Sequence, residues 1–230
     1  MKKLAVLASG GGSNLEAILD YLESLGQGAA AKVVVVASDR PQAGALSKAR
    51  AAGVEAVVLK DRSSESTEIL DLLTARDIDL VALAGYLRLI PVSVVDRYAD
   101  CMVNVHPALL PKHGGPGMYG LRVHQAVLNA RETVTGPTVH LVTHEYDSGP
   151  VLGQWAVGVL PTDDAAALAA RVLVAEHALY PRVIQWLAAG ERSRFPLLPD
   201  AGYLAKPPIT PEQIRRDIIR AFARVDGSSG

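Results

Sequence analysis

Cysteine is nearly missing from this 230-residue chain. The single one, Cys101, excludes an intrachain disulfide framework and a cysteine-rich zinc site. Surplus charge is lacking too: the formal net charge is −1, so composition carries no nucleic-acid footprint. No apolar run approaches the length needed to span a membrane. The start, M-K-K-L-A-V-L-A-S-G, has the basic residues of a signal peptide. Its apolar run is too short, however, and passes directly into a glycine turn and an amphipathic helix, so it reads as a first strand. A cytoplasmic protein is the resulting expectation. There is no internal repeat, and no G-K-[ST] to make the first glycine turn a Walker loop.

What is present is an ordinary globular composition, 49 % hydrophobic and 20 % charged, long enough to bury a real core. Leu4–Ala8, the valine-rich 32–37, 54–59, 79–84 and the run from Cys101 to His106 read as buried strands. Helices are expected over 15–25, 43–52, 65–76 and 93–98, closing the first half. Short loops join them all. Strands alternating with helices predict an α/β fold: a doubly wound, mostly parallel central sheet with helices on both faces. Beyond an irregular loop at 107–120, rich in proline and glycine, come a helix at 124–130 and strands at 139–143 and 151–159. A long helix follows over 163–189, with a kink or break expected at Pro181. A surface helix at 212–224 and a frayed Gly-Ser-Ser-Gly tail end the chain. Residues 1–205 are expected to form one domain, with 206–230 as a C-terminal helix and flexible tail.

Several positions could carry chemistry. Asn104 and His106 lie two apart on a strand, so their side chains share a face where the strand meets its loop. The turn Ser9–Asn14 precedes a helix, where backbone amides favour an anion, and Ser13 is the expected N-cap. Three readings of that turn stay open: a phosphomonoester site using Gly12, Ser13 and Asn14, a dinucleotide site with Asp39 on the ribose, and a structural turn. The dinucleotide fingerprint would need glycine where Leu15 stands. Arg88, flanked by Leu87, Leu89 and Ile90, reads on spacing alone as a surface arginine. Asp147 fits either an Asx turn or a carboxylate aimed at an imidazole. Glu176 sits on the apolar stripe of the long helix, where an acid is costly unless paired. His140 and His144 are four apart, but on a strand and turn they would not converge on a metal, and no metal site is expected.

Taken together, S-G-G-G-S-N-L, A-G-Y-L-R-L-I, N-V-H-P-A-L-L-P, E-Y-D-S-G-P and A-E-H-A-L-Y-P resemble the folate-dependent formyltransferase family over about residues 1 to 190. The resemblance implies a Rossmann-like fold and a one-carbon transfer in purine biosynthesis, from 10-formyltetrahydrofolate to the amine of glycinamide ribonucleotide. It implies a catalytic set of Asn104, His106 and Asp147, with the first two donating to an oxyanion and Asp147 orienting His106 and raising its pKa. Gly12, Ser13, Asn14 and Glu176 would bind the ribotide; Leu87, Arg88, Leu89, Ile90, His140 and Val142 would bind the folate. On this reading residues 1–100 form the ribotide phosphate-binding half and 101–205 the folate-binding and catalytic half. Arg62 is a further candidate for substrate contact. The partners implied are these small molecules, with no nucleic acid, no membrane and no metal, and a homodimer as the candidate assembly. A hydrolase of the same fold, releasing formate from the same folate, is the nearest alternative. It is expected to carry a further domain ahead of Leu4. One segment departs from the family pattern: K-H-G-G-P-G-M-Y-G-L-R-V-H replaces a short link after L-L-P.

Overall fold

Alternation along each strand explains why the sheet is buried on both sides. In the first strand Leu4 and Val6 pack into one core while Ala5 and Leu7 pack into another. The computed structural model, which describes residues 1–61, 63, 65–191 and 207–226, shows a seven-stranded sheet between these two cores. Its strands are β1 (Lys2–Leu7), β2 (Ala31–Ser38), β3 (Glu55–Val58), β4 (Leu80–Leu83), β5 (Met102–His106), β7 (Thr138–Leu141) and β8 (Val151–Gln154). They run in the order β3-β2-β1-β4-β5-β7-β8. The first five are mutually parallel, and β7 and β8 return antiparallel. The doubly wound, mostly parallel sheet expected from the sequence is therefore present.

Helices α1 (Ser13–Leu25), α2 (Gly44–Ala51), α5 (Leu121–Asn129) and α6 (Ala165–Ala189) cover the first core. Helices α3 (Glu68–Thr74) and α4 (Val92–Arg97) cover the second. Tyr180 of α6 is fully buried, and its hydroxyl reaches the carbonyls of both Leu83 and Val103, at 3.1 and 3.0 Å. It thereby ties the neighbouring strands β4 and β5 to the helix that covers them.

Four local expectations are corrected. Ser13 does not cap α1; it is the first helical residue. The cap is Gly12, at φ 76° and with no side-chain cap bond. Only glycine suits that place, since a Cβ there would lie 2.6 Å from the Cα of Ala45. Pro181 does not break α6, which runs unbroken from 165 to 189 on Asp164 as N-cap. The strand expected over 151–159 is two: β8, then β9 (Val157–Gly158), which pairs with a short strand, β6 (Val134–Thr135), that periodicity did not reveal. The last helix, α7 (Pro211–Asp226), is more than a surface helix: Ile214, Ile218 and Phe222 are buried, and Phe222 meets the Trp186 ring at 4.3 Å. Arg62, the segment 192–206 and the four-residue tail lie outside the described residues.

Candidate active site

The site forms where the parallel strands end. The turns after β1, β4 and β5 meet there, together with the loop that carries Asp147. Across the β5–β7 pair Asn104 stands opposite His140, and His106 opposite Thr138. A buried polar network fixes the loop after β5. Thr138 Oγ1 donates to the Ala108 carbonyl and accepts from Leu110 N, while Gln154 Nε2 donates to Thr138 Oγ1 and to the Leu110 carbonyl. The direction in which the chain leaves His106 is thus set by satisfied hydrogen bonds inside the core.

Asp147 is the hub. One oxygen accepts from Gly115 N at 2.9 Å and stands 3.3 Å from His106 Nδ1. The other lies 3.5 Å from both Asn104 Nδ2 and His140 Nε2. Burial pushes the Asp147 carboxyl up, but the facing His140 and His106 rings and the Gly115 amide outweigh it. The group is held below the usual carboxylate range. His140 Nδ1 meets the Leu141 carbonyl at 2.9 Å and must donate, so Nε2 is left to accept from Asn104 Nδ2 at 3.1 Å.

His106 differs from expectation in two ways. Its Nε2 donates to the His113 carbonyl at 2.8 Å, so this nitrogen is engaged by the loop. Its pKa is lowered, not raised: burial is the larger effect, and the opposing pull of Asp147 and the His113 carbonyl does not overcome it. The sequence reading named the right neighbour and neglected the desolvation of a ring only 3 % exposed.

Two cavities flank this cluster. The larger, about 570 Å³, is lined by Asn14, Leu87, Asn104, His106, Asp147 and Glu176, with the 115–121 segment along its rim. Within it Asn14 Nδ2 donates to Glu176 Oε2 at 2.7 Å, while Asn14 Oδ1 is buried and unmatched. Burial raises the Glu176 pKa, and the Asn14 amide opposes the shift. The smaller cavity, about 50 Å³, is lined by Arg88, Leu89, Ile90, His140 and Val142 together with Tyr86. Asn104 and Asp147 belong to both walls.

Most of the candidate residues are therefore brought together. Gly12 and Ser13 stand at the start of α1, next in the chain to Asn14, and line neither cavity, whereas Leu87 falls on the larger cavity and not with its three neighbours. Asp39 is 7 % exposed and accepts from Ser9 Oγ at 2.6 Å, which ties the carboxylate of the dinucleotide reading to the first turn. The same Ser9 oxygen accepts from Leu87 N at 3.1 Å. His144 lies away from His140, paired with Asp96 at 2.7 Å. Among the described residues no group of three or more His, Cys, Asp or Glu could hold a metal ion. Sequence reasoning missed Tyr86, Tyr146, His124 and the backbone of His113 and Gly115. The only signal for the last two was the density of glycine and proline in their loop.

The formyl transferase family model matches residues 2–184. A chloroplastic phosphoribosylglycinamide formyltransferase of Arabidopsis thaliana is 42 % identical over 190 residues, covering 80 % of this chain and 64 % of that protein. The chain spans 61 % of its Vigna unguiculata counterpart. The Escherichia coli phosphoribosylglycinamide formyltransferase is 38 % identical, with 81 % of this chain and 87 % of that protein covered. Among solved structures, the phosphoribosylglycinamide formyltransferase of Brucella melitensis is 43 % identical, with 82 % and 96 % covered and a TM-score of 0.74.

Proposed function

The chain belongs to the formyl transferase family, and from that premise we propose that it transfers the formyl group of 10-formyltetrahydrofolate to the amine of glycinamide ribonucleotide. The observation that carries this reading is the shared wall. Asn104 and Asp147 line both cavities, so a ligand in each would meet at their side chains. Two-ligand geometry of this kind suits group transfer, in which most of the barrier is lowered by holding the reacting atoms together.

The larger cavity takes the ribotide. Its phosphate rests on the amides that open α1, where the helix dipole favours an anion. Glu176 and the unmatched Asn14 oxygen accept from ribose hydroxyls. The smaller cavity takes the edge of the folate ring: a slit between the 88–90 segment and His140 offers backbone groups to a flat heterocycle. The bound folate supplies an electrophilic formyl carbon. Asn104 donates from Nδ2 to the oxygen on which charge develops, and His106 Nε2 joins it by exchanging the His113 carbonyl for that oxygen. Asp147, held ionised, orients the His106 ring through Nδ1 and partly offsets the effect of burial on its pKa. The amine attacks the formyl carbon, and as the bond from that carbon to the folate nitrogen breaks, an ordered water beside Asp147 would carry the amine proton to the leaving nitrogen.

The test is to incubate the protein with 10-formyltetrahydrofolate, with and without glycinamide ribonucleotide, following folate absorbance and formate. Folate consumption only when the amine is present is the expected result. Formate release without it would replace this reading with a hydrolase, and no consumption under either condition would remove both.

A further inference from the structure

His124 is the one histidine in the wall of the larger cavity that the proposed reaction leaves unused. It is carried on α5, which packs against α6, and it is only 4 % exposed. Its Nδ1 is buried with no hydrogen-bond partner. A buried N–H without an acceptor costs more than a buried lone pair, so the proton of the neutral ring belongs on Nε2. Burial, with a smaller contribution from the charge of His106, pushes the His124 pKa down to about 4, so the ring is neutral in ordinary buffer.

We propose that His124 is a substrate-contacting residue whose neutral Nε2–H donates a hydrogen bond to the amide carbonyl oxygen of the ribotide's glycinamide arm. This rests on the ribotide occupying the larger cavity. The carbonyl follows from position. Asn14 and Glu176 hold the phosphate and ribose end, and Asn104 and His106 mark the reacting amine, so the amide lies between them. His124 lines the same cavity and lies within electrostatic reach of His106. A neutral N–H donor suits an uncharged carbonyl, and it does not repel a protonated amine as an imidazolium would. The contact would also discriminate: a ribose phosphate lacking the carbonyl leaves a buried donor unmatched, the mismatch that gives hydrogen-bonding sites their selectivity.

The experiment compares two ligands on the wild-type enzyme and on H124F. Glycinamide ribonucleotide carries the amide; ribose 5-phosphate does not. Loss of one neutral hydrogen bond should weaken the ribotide about tenfold in H124F and leave ribose 5-phosphate within about twofold. In the wild type, the imidazole nitrogen resonance of His124 should shift with the ribotide and stay in place with ribose 5-phosphate. Equal weakening of both ligands, no weakening, or an unmoved resonance would overturn the contact. If H124F does not fold, H124L, which also lacks a donor, and the wild-type resonance decide in the same way. Wild-type turnover measured alongside separates the two levels: an active enzyme with an indifferent His124 refutes only this contact, and an enzyme that fails to bind the ribotide refutes both.

Discussion

A carboxylate with four polar neighbours governs the residue scale. Asp147 serves Asn104, His106, His140 and the Gly115 amide at once, so substitutions around it should have separable effects. Asn104→Ala and His106→Ala should each lower kcat by a factor of about 10² to 10³, the usual cost of one oxyanion donor, with little change in ribotide KM. Steady-state kinetics on both substrates check this, and near-normal turnover in either variant would remove that residue from the proposed chemistry. D147N has a definite sign. The Asp147 charge raises the His106 pKa against the larger effect of burial, so its loss should depress that pKa further. The limb of the kcat/KM profile that His106 sets should move to lower pH, and an unmoved limb would count against the pairing. Asn104 and His106 were legible as a pair because period-two spacing places i and i+2 on one strand face. The engagement of His106 Nε2 by the His113 carbonyl was not legible, since it depends on how an irregular loop folds back.

Elements position these residues through a few close approaches. The turn at Gly12 brings the first loop against α2, where Gly12→Ala would force a Cβ into the Ala45 backbone at a left-handed φ. The expected cost is roughly 1–3 kcal/mol, with a raised ribotide KM, measurable by urea titration and kinetics. The loop that carries Asp147 depends on Gly149 in the same way: a Cβ there would come 1.8 Å from the Leu141 carbonyl oxygen. Gly149→Ala should therefore displace Asp147 and lower kcat by more than it lowers stability, as activity and unfolding measured side by side would show. The alternation of strand and helix was plain in the sequence because buried parallel strands read as apolar runs. The two-residue strands β6 and β9 were hidden, being too short for any period to register. Pro181 misled for a physical reason: its ring is accommodated inside a helix buried on many sides, where packing outweighs a lost backbone bond.

At the scale of the whole molecule, burial of histidine sets the response to acid. His106, His124 and His177 all have pKa values lowered chiefly by desolvation. Each binds its proton more readily in the unfolded chain, so stability should fall as pH drops from about 6.5, the unfolded value. The loss continues until the folded groups protonate, about pH 4 for His124. Glu176, whose pKa burial raises, acts with the opposite sign, favouring the folded state as it protonates. The carboxyls held low, Asp147 and Asp163 among them, lose stability in acid in the same direction as the histidines, and urea midpoints across pH 7 to 4 should decline; a flat profile would contradict this. Over this scale the sequence carried the sheet and the order of its segments, while the depth to which each polar group is sunk awaited the packing of α6 and α7. Ser9 holds a consequence for occupancy of the two cavities. Its hydroxyl accepts from Leu87 N and donates to Asp39, and its own amide donates to the Gly85 carbonyl, so one residue belongs to the turns beneath both cavities. On the proposed two-ligand reading, occupancy that stiffens one turn would lower the entropy left to lose in the other, and by thermodynamic reciprocity each ligand would tighten its counterpart by the same factor, whichever binds first.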